Sequence, residues 1–346
     1  MKQSFKNDYG EGCHPKILEA LTKTNLEPQE GYGEDIYTKE AKRLIQEKMS
    51  SKNSDVHLVS GGTQANLIII SSALRPYESV ISTYSGHINI HEAGSIEAIG
   101  HKINTIKSDD GKIYVEGIQK VLDEHDGAPH VVKPKIVYIS NSTELGTIYQ
   151  KAELKKLSNF CKANDLYLFM DGARLGSALN SKNNDLSLKD LSELLDIFYI
   201  GGTKNGALLG EAIVINNNNL KRDFAYNLKQ KGALMSKGRI LGVQFMTLFK
   251  ENLFFDLASH ANLMAQKIAQ DIQESGFSFL CEPQTNQIFP ILPNTLIKKL
   301  EKKYDFHIWK KIDKENTAIR LVTSWATKEN IVDEFINKLK MQALQF

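Results

Sequence analysis

Residues 166–174 read LYLFMDGAR, and residues 196–204 read DIFYIGGTK. In each, an apolar, strand-like run stops at chemistry-bearing residues: Asp171-Gly172-Ala173-Arg174 in the first, Gly201-Gly202-Thr203-Lys204 in the second. The end of a buried strand in an open α/β sheet is where ligands bind. An anionic Asp near such a Lys suits the chemistry of pyridoxal 5'-phosphate (PLP). The Lys forms a Schiff base with the aldehyde, and the carboxylate keeps the pyridine nitrogen protonated so that the ring accepts electrons. Alone, neither segment decides this. A DG turn followed by Arg is common, and most lysines in a Gly-Gly-Thr-Lys loop are solvated.

Outward from these segments, residues 55–215 alternate apolar runs with helix-like stretches. Strands are expected at 56–59, 79–82, 102–106, 135–140, 166–170 and 197–200, with helices at 64–74, 87–98, 115–124, 151–162 and 186–195. That alternation argues for an α/β fold whose mainly parallel sheet is doubly wound by helices. Residues 211–215 follow the sixth strand too closely for a parallel crossover, so they are expected to pair antiparallel. Residues 216–219 read as a turn, and a helix is expected through 255–274. The tail reads as a smaller C-terminal α+β domain with strands near 277–280, 288–291 and 319–323 and a closing helix from 328. The expected division is an N-terminal segment 1–50, a large domain 51–255 and a small domain 256–346.

Composition excludes more than it names. Of 346 residues, 41% are hydrophobic and 24% charged, the balance of a globular chain. Lys+Arg 43 against Asp+Glu 41 leaves a net charge of +2, so no basic surplus points to nucleic acid. Cys13, Cys161 and Cys281 fit no zinc or CxxC spacing, so no metal is expected and free thiols in a reducing compartment are. The start MKQSFKNDYG lacks a signal-like apolar stretch, and no apolar run approaches membrane-spanning length. A cytoplasmic protein without a membrane partner is the expectation.

Two further motifs bear on chemistry. Ser60-Gly61-Gly62-Thr63-Gln64-Ala65-Asn66 is a strand-to-helix turn whose free N–H groups and helix dipole can cradle a phosphate. It also reads as a tight turn capped by Thr63. It is no Walker loop, and the chain has no GxGxxG. His87 could cover the face of a bound heteroaromatic ring, or serve as an ordinary hydrogen-bonded histidine. His91 and Glu92 do not open an HExxH zinc site. The order of these features matches that used by PLP enzymes: phosphate loop, stacking residue, strand-end Asp with Arg three residues on, then Lys.

On these residues the chain resembles the threonine aldolase/β-eliminating lyase group of fold-type I, aspartate-aminotransferase-like PLP enzymes. The likeness includes Asn7-Asp8-Tyr9, Gly31-Tyr32-Gly33-Glu34-Asp35, Gly61 to Asn66, His87 with Glu92-Ala93-Gly94, Asp171 to Arg174, Lys204, and Ile319-Arg320-Leu321-Val322-Thr323. The resemblance implies that Lys204 carries the cofactor, Asp171 pairs with its ring nitrogen and His87 stacks on the ring. It implies that Gly61, Gly62, Thr63 and Thr203 line the phosphate end. Arg174 would touch cofactor and substrate, and with Arg320 orient the substrate carboxylate through forked hydrogen bonds. Asn7 and Tyr32 would approach the substrate, Tyr32 from a neighbouring subunit of a homodimer or homotetramer.

Departures are visible too. Asn141-Ser142-Thr143-Glu144-Leu145 stands where threonine aldolases read Glu-Asn-Thr-His-Asn, so a carboxylate replaces an imidazole, and Glu144 or a water held by His87 becomes the candidate base. Ser236 falls where an Arg helps hold phosphate, with Lys237 and Arg239 as candidate substitutes. The activity implied is a PLP-dependent aldehyde-lyase that cleaves the Cα–Cβ bond of a β-hydroxy-α-amino acid, L-threonine or L-allo-threonine. The alternative is a β-eliminating lyase or aminotransferase on the same scaffold.

Overall fold

A computed structural model describes residues 2–343 of the chain. Its main sheet holds β1 (Asp55–Val59), β2 (Glu78–Thr83), β3 (Ile103–Ile106), β4 (Lys133–Ser140), β5 (Tyr167–Asp171), β6 (Ile197–Gly201) and β7 (Glu211–Ile215). The spatial order is β1-β7-β6-β5-β4-β2-β3. β3, β2, β4, β5 and β6 run parallel, and β7 lies antiparallel between β6 and β1. The expected fold class and the antiparallel hairpin are both present.

Both faces of this sheet are covered, so its central strands are apolar throughout rather than alternating with polar residues. Neighbouring residues still divide between two cores, because successive side chains point to opposite faces. Val137, Ile139, Leu168 and Met170 pack with Ala41, Ile45, Leu154 and Phe245 from the helices on one side. Ile136, Tyr138, Phe169 and Tyr199 pack with Ala65, Ile68 and Ile69 of the helix Gly62–Ala73 on the other.

The carboxyl ends of the parallel strands form one edge. Register places Ser140 beside Asp171, while Glu211, opening the antiparallel strand, pairs with both Gly201 and Val59. This edge is the floor of the site.

A second sheet centres on β11 (Asn316–Val322), which pairs antiparallel with β8 (Gln287–Ile288), β9 (Ile291–Pro293) and β10 (His307–Lys311). Its own apolar cluster includes Ile288, Leu292, Ile319, Leu321 and Phe335. The helix Leu253–Glu274 gives Phe254 and Leu257 to the first core and Met264 and Ile268 to this one. The N-terminal chain is stitched to the same unit. Gln3–Ser4 pairs parallel with Tyr304–Asp305, and Val322 N–H donates to the Phe5 carbonyl at 2.9 Å. That pairing directs residues 6–9 toward the sheet edge.

Some local expectations need correction. Residues 87–98 form two short helices, His87–Ile90 and Ser95–Ala98, because the backbone turns left-handed at Ala93 (φ 51°) and Gly94 (φ 72°) between them. Residues 277–280 make only one bridge, Phe279 to Pro290, and not a strand. The expected turn at 216–219 leads into the short helix Asn218–Lys221, with Asn217 as its cap. Thr63 is not the cap of the Gly62–Ala73 helix. Gly61 occupies that position, with no side chain capping it. Among the described residues no helix is long and apolar enough to cross a membrane, and no His/Cys/Asp/Glu group could hold a metal ion.

Candidate active site

Two adjoining cavities open over the carboxyl edge. The inner one, about 380 Å³, is lined by the loop Ser60–Thr63, His87, Asp171, Thr203, Lys204 and Glu211 among others. The outer one, about 570 Å³, reaches Gln287, Trp309 and Arg320 of the small sheet. Tyr9, His87, His91, Glu144, Arg174 and Lys204 border both.

Asp171, the last residue of β5, is buried at the base of the inner cavity. Its Oδ2 accepts from the Tyr138 hydroxyl at 2.6 Å and from Asn66 Nδ2 at 3.2 Å, and its Oδ1 accepts from Ala173 N–H at 3.0 Å. Burial alone would raise this carboxyl, but His87 and the hydroxyl and amide donors bring it below its ordinary value. The base of the cavity therefore holds a carboxylate. Gly172 must follow it, since a Cβ there would sit 1.8 Å from the Tyr199 carbonyl oxygen.

His87 is aligned from behind. Its Nδ1 lies 2.8 Å from Glu92 Oε1, which also accepts from Asn66 Nδ2 at 2.7 Å, while Glu92 Oε2 accepts from the Ser95 hydroxyl at 2.7 Å. Asn66 thus ties the histidine's carboxylate partner to Asp171. Above the base, Lys204 enters the cavity from the turn after β6. Burial, aided by Arg174, pushes its ammonium down from the ordinary lysine value, while Asp8, Asp171 and Glu211 oppose that shift. A lysine disposed to lose its proton is what a nucleophilic amine requires.

At the opposite end, the uncapped helix start at Gly61 and Gly62 presents backbone N–H groups. A Cβ on Gly62 would come within 2.9 Å of the Tyr199 hydroxyl, so glycine keeps this cradle open. The Arg174 guanidinium is gripped by buried Asp8, and Asn286 Nδ2 also donates to Asp8 at 2.9 Å. Arg320 Nε is buried without a hydrogen-bond partner, and burial beside Arg174 pushes this guanidinium down to about 10. Its Nη2 donates only weakly, to the Lys6 carbonyl at 3.3 Å, and its guanidinium lies 5.6 Å from the Trp309 ring centroid. Two cations facing one cavity, one of them underbonded, call for an anionic ligand there. Glu144 faces the same space, its Oε1 accepting from His87 N–H at 3.0 Å and from the Ser140 hydroxyl at 2.8 Å. Burial raises its carboxyl above the ordinary value.

A scan against family models matches residues 12–294 to the β-eliminating lyases. The chain belongs to that family. It is similar to the low-specificity L-threonine aldolase of a Pseudomonas species, 32% identical over 96% of this chain and 95% of that protein. Among solved structures it resembles the threonine aldolase of Leishmania major, with 47% identity, a TM-score of 0.97 and 99% of each chain covered. The histidinol-phosphate aminotransferase of Clostridium acetobutylicum, at 14% identity and TM-score 0.74, shares the fold.

The structure gathers Lys204, Asp171, His87, Glu144, Gly61, Gly62, Thr63, Thr203 and Arg174 at the inner cavity, and Arg320 at the outer. Four of the expected residues lie elsewhere in the single chain. Asn7 caps its own turn, its Oδ1 accepting from Tyr9 N–H. Tyr32 is exposed and stacks under Lys229, and Lys237 is exposed nearby. Arg239 is committed to the carbonyls of Thr24, which ends the helix Pro15–Thr24, and of Glu27 just beyond it. Sequence reasoning missed the roles of Asp8, Asn66, Tyr138, Tyr199, His91 and Glu211. Asp8 and Asn66 stood within quoted motifs, but the partners that explain them lie 166 and 105 residues away.

Proposed function

We propose that this protein is a PLP-dependent aldehyde-lyase that splits the Cα–Cβ bond of L-threonine or L-allo-threonine into glycine and an aldehyde. The observation that carries the reading is the convergence on one continuous space of a buried lysine, a strand-end carboxylate, an arginine pair and a buried glutamate. Likeness to threonine aldolases over nearly the whole chain supports it.

The residues fit PLP. Lys204 offers the amine for covalent attachment, Asp171 the anion for the ring nitrogen, His87 an aligned ring to stack, and Gly61, Gly62, Thr63 and Thr203 a phosphate cradle. When bound, PLP supplies an electron-withdrawing ring that takes up the electron pair released when the bond breaks. The chain does the rest. Arg320 and Arg174 hold the substrate carboxylate, which fixes the orientation of the bond to be broken. Glu144 takes the β-hydroxyl proton, a role aided by the burial that raises its proton affinity toward neutrality.

The same reading places the protein in the cytoplasm, in keeping with three free cysteines, and in a homodimer or homotetramer. Tyr32 and Lys237 support the assembly. Tyr32 N–H reaches the Ser236 carbonyl at 3.3 Å, so the residue expected at a neighbour's site and Lys237, the candidate phosphate holder, share one exposed patch.

A product assay tests the activity. Threonine should yield acetaldehyde and glycine with no keto acid supplied. Ammonia and a 2-keto acid as the only products, or turnover that needs a keto acid, would replace the aldolase reading with β-elimination or transamination.

A further inference from the structure

The two arginines of the site are held in different ways. Arg174 is gripped along one edge by the Asp8 carboxylate. Arg320 has no such grip. Among the described residues its one hydrogen bond is the 3.3 Å contact from Nη2 to the Lys6 carbonyl, and its Nε is buried without a partner. A long side chain that presents a fork to a ligand loses affinity if binding must first order it. Something other than hydrogen bonds has to fix its plane.

What lies against it is Trp309. The Arg320 guanidinium carbon sits over the indole, 5.6 Å from the ring centroid, within the range of a cation–π contact. The indole reaches that place through an irregularity in the β10–β11 ladder. His307 pairs with Arg320 and Ile308 with Ile319, but Lys310 then pairs with Ala318, so Trp309 is an extra residue without a partner. A bulge of this kind re-aims a side chain, and bulges are frequent beside active sites. Phe289, buried just after β8, then braces the indole edge-on, with the ring centroids 5.0 Å apart and the planes at 64°. The result is a ring fixed in the wall of the outer cavity beside Arg320.

Hydrogen bonds to a guanidinium run in its plane, whereas an aromatic ring holds it through its face. A carboxylate at Arg320, like Asp8 at Arg174, would occupy one edge and offset the charge. The indole fixes the plane, leaves the N–H groups free and keeps the charge intact. We infer that Trp309 is the positioning residue for Arg320, holding its guanidinium ready for the carboxylate of the amino-acid substrate. The inference rests on the proposed function for the identity of that substrate, while the contact between ring and guanidinium belongs to the free protein.

The test titrates PLP-loaded protein with two amines and reads each dissociation constant from the change in cofactor absorbance. Glycine carries the carboxylate without a side chain. Isopropanolamine carries the side chain of threonine without the carboxylate. Trp309→Leu should weaken glycine about fivefold or more, the weight of one partly buried cation–π contact, and leave isopropanolamine unchanged. Trp309→Phe, the gentler change for folding, keeps a ring and should show a smaller loss, again confined to glycine. In an Arg320→Lys background Trp309→Leu should weaken glycine by a smaller factor, because the two residues act as one unit. Glycine binding indifferent to Trp309→Leu would make the indole a passive wall and overturn the inference. Isopropanolamine weakened as much as glycine would report general damage to the site and overturn it equally. Crystal structures of cofactor-free wild type and Trp309→Leu give a reading independent of PLP. The guanidinium should leave its place in the variant, and one that keeps its position and plane without the indole would overturn the inference as well. Wild type that shows no PLP absorbance would defeat the cofactor reading, while the crystal comparison still judged Trp309.

Discussion

The Asp8 carboxylate holds the Arg174 guanidinium by its Nε and Nη2 edge, at 2.7 and 2.9 Å, with both groups largely removed from water. The other edge of the fork is left to face the cavity. The eighth residue of the chain thus orients a substrate-binding arginine, and it can do so because Gln3–Ser4 pairs with Tyr304–Asp305 and the Phe5 carbonyl accepts from Val322 N–H of the small sheet. Asp8→Ala should raise KM at least about tenfold and destabilise the fold by about 3 kcal/mol, since an unpaired buried cation remains. Denaturant melts and steady-state kinetics check both.

The same pair gives a pH dependence. Burial would raise Asp8, but Arg174, Lys204 and two hydrogen-bond donors hold it below its ordinary 3.8. A carboxyl depressed in the folded state stabilises the fold above its unfolded pKa, and that contribution is lost as pH falls through the folded value. The stability gap between wild type and Asp8→Asn should therefore be full near neutrality and shrink as pH falls below the ordinary 3.8 and through the lowered folded value. A gap that closes at higher pH would show that Asp8 is not held ionised by Arg174.

Lys204→Ala should fold normally and lose borohydride-trappable PLP together with several orders of magnitude in turnover, because the amine is the tether. Asp171→Asn should keep the cofactor and its colour but turn over at least about a hundredfold more slowly, since an amide cannot hold the ring nitrogen protonated. Absorbance and rate, measured on both variants, separate tethering from electronic activation. Unchanged rates in Asp171→Asn would mean that the ring lies elsewhere.

Glu144 predicts the acid limb of the rate profile. Burial places its carboxyl above the ordinary 4.5, so the fraction able to accept a proton falls as pH drops through that raised value. Turnover should decline on that limb in wild type. Glu144→Gln should be slower at every pH and lack the limb, while PLP absorbance persists. A limb retained in Glu144→Gln would assign the base to another group, with His91, on the border of both cavities, the next to substitute.

How much of this could be read in the chain follows from how local each signal is. The parallel sheet was legible because its strands are buried on both faces and read as unbroken apolar runs, as in Ile136 to Ile139. Asp171 and Lys204 were legible because each sits at the end of such a run. Glu211 also ends a strand, but at the amino end of the antiparallel one, where no rule of strand ends points. Tyr138 and Tyr199 look like core residues and largely are, and only the ladder brings their hydroxyls to Asp171. The break at Ala93 was hidden because a non-glycine residue adopts the left-handed conformation there.

The last prediction concerns Tyr32, which lies outside the cavity of its own chain. Gly31, Tyr32 and Gly33 lie against Ser236 and Gly238, with Tyr32 at φ 58° and nearly half exposed. An exposed aromatic held in a sparsely populated backbone conformation needs a reason, and completing a second copy's site supplies one. If so, Tyr32→Ala should impair turnover without releasing PLP from Lys204. Mixing a Tyr32→Ala chain with a Lys204→Ala chain, each inactive alone, then gives a sharper test. In a hybrid dimer one site combines the intact Lys204 of one chain with the intact Tyr32 of the other, so activity should return to one site in two. Hybrids shown by native mass spectrometry to have formed, yet without activity, would defeat the shared site, as would a fully active monomer in solution.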